Sequence, residues 1–405
     1  MMCLPILSIN EKQKTMALPG VNVVRSTGAT SGLLTLNDGV AGLIISGVAV
    51  SDLALATPKR IFGLDELEAL GINAAYDATN TVRVHAQVAD FYAAAGRGAE
   101  LWLMLVAKSV TMTAMLDPDG NYAPVLRDAA EGRIALLGVS RTPPNDYEPS
   151  IPDGIDPDVL TALTNAQELA TASALDQRWL SVVVEGRGLY DLQDLPDLRD
   201  LEYEDVCCVI GNGTPGAQWA DLGKALGRLA GTPVQDSLGR RKGGVAVSGN
   251  YAGLSNGASM TSISVGQQNV LHDNGYIFFT KMQGFAGYYW SGSPNCAPAG
   301  GQINNIAESR VWCKAAKIAY ATYAPEVEDT VAVEADGSLP PETAKALEAD
   351  IERAIVVNME GEISGIVAVI DADENVRESG ELTVNLTINK LGRKGVINVK
   401  LGFAV

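Results

Sequence analysis

Histidine is almost missing from this 405-residue chain, with two copies, and aromatic residues make up only 6%. His85 and His272 alone leave little material for general-base or zinc chemistry. Long hydrophobic runs are missing too. The longest apolar stretches, Gly39–Val50 and Leu101–Ala107, fall short of the ~18–20 residues that a membrane-spanning helix needs. The opening MMCLPILSIN lacks the basic leader of a secretory signal and runs straight into EKQK. Met16 begins a second plausible start, MALPGVNVV, which makes the residues before it a loose leader or an upstream start. The five cysteines (Cys3, Cys207, Cys208, Cys296, Cys313) are an odd count without framework spacing, which suits synthesis in a reducing cytoplasm. Positive charge is scarce: 30 Lys and Arg face 48 Asp and Glu, a net of −18. So acidic a surface repels phosphate backbones and anionic lipid, so neither nucleic acid nor membrane is an expected partner.

What is present is 47% hydrophobic residues and 42 glycines, enough for a sizeable core in two or three domains. Apolar runs alternate with helical patterns. Gly42–Val50, Leu101–Ala107, Arg133–Val139, Trp179–Gly186 and the DVCCVIG run read as strands. Phe62–Leu70, Val82–Gly96, Asp158–Leu175 and Ala217–Ala230 read as helices. Continuous apolar strands separated by helices predict an α/β domain whose mostly parallel sheet is covered on both faces. From Gly244 to Gly301 the chain turns Gly-, Ser- and Asn-rich, and a change of domain is expected near Asn274. A helix over Ile303–Tyr323, an acidic stretch and a helix with Leu347, Ile351 and Ile355 on one face follow.

The last 25 residues carry the sharpest pattern. Leu382, Val384, Leu386 and Ile388 alternate with Thr383, Asn385, Thr387 and Asn389. After LGRKG, Ile397, Val399, Leu401, Phe403 and Val405 alternate to the final residue. These are half-buried strands. Ordering about ten residues costs roughly 1–2 kcal/mol each, and five buried apolar side chains return about 1.5–3 kcal/mol apiece. The terminal strand is therefore marginal unless enclosed on both sides, by its own sheet or by strand addition to a second chain. Charge separates along the chain. Lys390, Arg393, Lys394 and Lys400 follow Leu382 with no acid, whereas Glu326 to Glu374 holds fourteen acids against Lys345 and Arg353. The arm from Lys12 to Asn37 is also free of acids. Two basic ends on an acidic body suit contacts with neighbouring subunits, and the alternative is that both ends fold back on their own acidic domain.

The catalytic-looking motifs are few. Gly211, Gly213 and Gly216 follow an apolar strand, open a helix and precede Asp236 by the spacing of a dinucleotide fingerprint, which leaves an NAD(P)-dependent enzyme as an alternative. Gly253-Leu-Ser255-Asn-Gly257 matches a nucleophile elbow, but no acid lies between Ser255 and His272. Asp371, Asp373 and Glu374 could ligate a hard cation or form a solvated turn. No cofactor or metal is expected.

The segment LGKALGRLAGTPVQDSLGRRKGGVAV (Leu222–Val247), the start ALPGVNVV (Ala17–Val24) and the order of the closing third, from GYIFFTKMQGFAGYYW to VINVKLGF, resemble contractile tail sheath proteins of the phage and prophage type. The resemblance covers most of the chain after Met16 but not the middle, Leu116–Leu201. It implies a non-enzymatic structural subunit with an N-terminal arm (1–27), an outer α/β domain (28–273), an α+β inner domain (274–390) and a C-terminal strand arm (391–405). It further implies exchanged terminal strands, with Val21, Val23 and Val24 in one arm and Ile397, Val399, Leu401 and Phe403 in the other. The implied partners are other copies of the chain in a helical polymer of stacked rings, an inner tail tube, and baseplate and terminator proteins. The implied setting is a phage tail or injection particle assembled in the bacterial cytoplasm. A capsid-like shell subunit shares the same logic of chain exchange.

Overall fold

Runs that are apolar along their whole length can be buried only if both faces of the sheet are covered, and the computed structural model has this arrangement. It describes residues 38–242, 247, 251–371 and 374–395. Strands β1 (Ala41–Ser46), β2 (Lys59–Ile61), β3 (Leu101–Val106), β4 (Leu136–Ser140), β5 (Ser181–Glu185) and β6 (Val206–Val209) precede two short strands, β7 (Gly211–Asn212) and β8 (Gly253–Leu254), and then β9 (Tyr276–Ile277). One seven-stranded sheet has the order β2-β3-β1-β4-β5-β6-β9, parallel except for the edge strand β2. Every residue of β1, β4, β5 and β6 is buried.

The covering helices are α1 (Leu64–Ala69), α2 (Ala74–Asn80), α3 (Val84–Ala95), α4 (Met112–Met115), α5 (Ala123–Ala129), α6 (Pro157–Leu175), α7 (Leu222–Ala230) and α8 (Val265–Asp273). Their ends follow from local chemistry. Asp156 caps α6 by accepting from the Asp158 amide, with Pro157 in the first turn, and Gly96 ends α3 at φ 88°. Gly138 lies against Leu226 and Leu222 of α7, and Gly42, on the opposite side of the sheet, lies against Leu126 of α5. Arg127 of α5 donates to Ser173 of α6 at 3.0 Å, so α5 and α6 share one face. On the other face α3 and α7 touch backbone to backbone, through Gly223 against Gln87 and Gly227 against Phe91.

The large core continues past residue 274. β9 is a strand of the main sheet, and Phe278, Trp290, Cys296 and Ile306 join the same cluster. The aromatic-rich stretch forms a small pair, β10 (Phe279–Thr280) with β11 (Tyr289–Trp290), whose Phe279 and Trp290 rings lie 4.5 Å apart. Helix α9 (Ile306–Tyr323) is capped by Asn305 and leads to α10 (Pro341–Asn358), β12 (Ile363–Ile370), α11 (Val376–Ser379) and β13 (Val384–Lys390). Lys314 of α9 ties the two parts together, pairing with Asp38 beside the main sheet and with Glu362 beside β12, each at 2.7 Å.

Candidate assembly interface

Strands β12 and β13 pair antiparallel and form a sheet of their own. Ile366, Ala368, Ile370, Val384, Leu386 and Ile388 line the inner face, and Ile351, Ala354 and Ile355 of α10 pack in the same clusters. The alternation expected for Leu386 and its neighbours is thus present. The outer face carries Val367 and Val369, each 51% exposed. Among the described residues the sheet has two strands and gains its stability by packing one face on α10.

The two edges differ. Along β12 the Ala368 amide donates to Glu352 at 2.8 Å and the Ile370 amide to Glu348 at 2.9 Å. Both amides therefore point away from β13, which makes Ala368–Leu386 a non-bonded pair in the ladder and turns the Leu386 backbone outward as well. No side chain caps the Leu386 amide among the described residues. Burial opposes ionisation of Glu348, yet Lys345 and the Ile370 amide hold its carboxyl below the ordinary carboxylate range. These two glutamates were not singled out from the sequence. The available signal was Glu348 on the same helical face as Ile351 and Ile355, an acid where apolar residues were expected.

The structure places Lys390 and Arg393 on Glu308 of their own chain, at 3.1 and 3.0 Å, whereas the sequence reading gave them to neighbouring subunits. Lys394 is exposed. Val21, Val23, Val24, Ile397, Val399, Lys400, Leu401 and Phe403 lie outside the described residues.

Open parallel sheets receive ligands where the strand order reverses, here at the carboxyl ends of β1 and β4. That crevice is filled from within. Glu185, fully buried, accepts from Arg83 at 2.8 Å, from Ser140 at 2.8 Å, from the Arg141 amide at 2.8 Å and from the Ala220 amide at 3.1 Å. Arg141 pairs with Asp158 at 2.8 Å, Arg187 pairs with Asp156, and Trp219 and Tyr147 lie under Arg83 and Arg141. Three cations meet three carboxylates, so the cluster is balanced in charge.

The glycine turn is likewise occupied. Gly211 belongs to the β7–β8 pair, α7 does not begin until Leu222, and the Gly213 amide donates to Asp221 at 2.9 Å. A carboxylate holds the amide that a pyrophosphate would need. Asp90 lies nearby, sharing Lys224 with Asp221, and its carboxyl is pushed up to about 6, chiefly by burial, with Lys224 opposing and Asp221 reinforcing. Asp236 pairs with Arg240. Ser255 is buried and donates to the Gly186 carbonyl, and His85 pairs with Glu68 at 3.0 Å. Among the described residues no group of three or more His, Cys, Asp or Glu could hold a metal ion, and no helix is long and apolar enough to cross a membrane.

The chain superposes along nearly its whole length on several solved structures. One chain of the six-fold symmetrised anti-feeding prophage baseplate superposes with a TM-score of 0.62 at 13% identity, covering 96% of this chain and 100% of that one. The helical sheath of the anti-feeding prophage in its contracted state gives 0.59 at 14% identity, covering 96% and 99%. The contracted sheath complex of the extracellular contractile injection system PVC gives 0.57 at 12%, covering 96% and 98%. The fold is that of contractile injection system sheath proteins. Residues 18–294 match the family model described as DUF2586, N-terminal domain, and the chain belongs to that family. No curated protein matches the sequence.

Proposed function

We propose that this chain is a structural subunit of a contractile tail sheath, which polymerises around an inner tube and contracts to drive that tube through a target envelope. The observation that carries the reading is a fold shared over nearly the whole chain with sheath proteins. In this reading the arms 1–27 and 391–405 exchange between copies, the first through Val21, Val23 and Val24, the second through Ile397, Val399, Leu401 and Phe403. The body built on the main sheet faces outward, and α10 with β12 and β13 forms the inner part. The subunit works without catalysis. Its partners are other copies of itself, an inner tube, a baseplate and a terminator, in a particle assembled in the bacterial cytoplasm. Strand pairing keeps the array connected while the acidic bodies shift against one another.

Deletion of Gly395–Val405 tests the exchange. By negative-stain microscopy the full chain, supplied with its tube protein, forms tubes, and the truncated chain stays monomeric with an unchanged circular dichroism spectrum. Normal tubes from the truncated chain would overturn the reading.

A further inference from the structure

Glu348 and Glu352 sit four residues apart on α10, about 6 Å along the axis. The amides they accept from, Ile370 and Ala368, are two residues apart on β12, about 6.8 Å. The two spacings are close enough for one helix to serve successive outward amides of the strand. The carboxylate oxygens stand 2.8 and 2.9 Å from those nitrogens, where the carbonyl oxygens of an added strand would stand. Glu348 is 6% exposed and its other oxygen is held by Lys345. Side chains that cap an edge in this way keep it from pairing indiscriminately, and carboxylate–amide bonds are among the stronger hydrogen bonds.

A permanent cap would leave β12 unable to take a second neighbour, whereas among the described residues the sheet holds only two strands and exposes Val367 and Val369 on its outer face. The occupant that fits is the C-terminal strand of a second copy, residues 396–405. It alternates in strict period two, and it is long enough to span the eight residues of β12. It also carries Lys400 and no acid, so carboxylates released from the amides meet a cation.

We propose that Glu348 and Glu352 form a removable latch on the outer edge of β12, holding its amides in the free subunit and yielding them to the C-terminal strand of a second copy during polymerisation. The inference rests on the sheath reading for its occupant, but the latch can be tested apart from it.

The test is amide hydrogen exchange at Ala368 and Ile370 in the full chain and in Glu348→Ala/Glu352→Ala. In the free subunit both amides exchange at least tenfold faster in the double variant. In the polymer they are equally protected in variant and wild type, and the variant polymerises with a shorter lag. Fast exchange at these amides in the variant polymer overturns the proposal, because it means that the glutamates are permanent caps and no strand arrives. Glu352→Ala alone, at a half-buried position, gives the same reading at Ala368 should the double variant fail to fold. If the wild type forms no polymer, the sheath reading falls, and the latch is then read from a synthetic peptide of residues 395–405 added to the free subunit. The peptide protects both amides and binds Glu352→Ala at least tenfold more tightly than wild type. Absence of protection by the peptide overturns the latch.

Discussion

Glu185→Ala is expected to lower unfolding stability by about 3–5 kcal/mol, read as a shift of the urea midpoint at neutral pH. The carboxylate lies fully buried at the end of β5 and is the shared acceptor for Arg83, Ser140 and the amides of Arg141 and Ala220. Removing it strands a guanidinium against Trp219 in a water-poor crevice and leaves two amides unsatisfied. Against a total stability of ~5–15 kcal/mol, that loss threatens the folded state at 37 °C. Glu185→Gln keeps the shape and one acceptor, and is expected to lose less. A midpoint shift equivalent to under ~1 kcal/mol for the alanine variant would show that the crevice admits water or a ligand and that its charges are not a closed set.

Gly223→Ala carries the second large effect, and its sign is diagnostic. Replacing glycine with alanine inside an exposed helix stabilises by about 1 kcal/mol. At position 223, however, the added Cβ would lie 2.0 Å from the Gln87 carbonyl oxygen and 2.8 Å from its carbon, both backbone atoms. One turn on, Gly227 meets the Phe91 carbonyl at 2.3 Å, so α7 cannot tilt away about a neighbouring contact. Helices α3 and α7 must separate, and the expected cost is about 3 kcal/mol in thermal or urea unfolding. Gly266→Ala in α8 is the control: its nearest neighbour would be the Ser264 hydroxyl at 3.9 Å, and it is expected to stabilise. A stabilised Gly223→Ala protein would mean that the two helices do not touch.

These contacts show how far the sequence could be read. The strands β1, β3, β4, β5 and β6 were legible because a strand covered on both faces must be apolar throughout, and no other short element has that requirement. β2 was not, since an edge strand tolerates Lys59 and Arg60. The paired segments of two residues, from β7 to β11, carry no periodicity at all. The helix α7 was visible, but Gly223 and Gly227 within it carried no signal of their own; the glycines read as a possible phosphate turn were Gly211, Gly213 and Gly216, before the helix. Only the partner helix, more than a hundred residues earlier, explains why Gly223 and Gly227 are needed. The break expected at Asn274 was drawn where composition changes, whereas the core follows β9 and Trp290 into the same cluster as β1.

The candidate assembly surface was half legible. Period-two alternation marked Val384, Leu386 and Ile388, because one face of that strand packs on α10 and the other meets water. The charges after Leu382 were harder. A cluster of Lys and Arg states that an anion is needed and not which one, and Glu308 lies 85 residues before Arg393. Glu348 shares the face of Ile351 and Ile355, which marks it as unusual but names no partner for it or for Glu352. Their role depends on how α10 lies along β12, which spacing along one segment cannot encode.

The measurement that bears most directly on the central claim is a cryo-EM reconstruction of the assembled protein, traced through the strand that lies along the outer edge of β13. The account predicts a helical tube in which that strand, bonded to the Leu386 backbone, belongs to another copy. A strand supplied by the same chain, in a particle that is no more than a monomer, would contradict it.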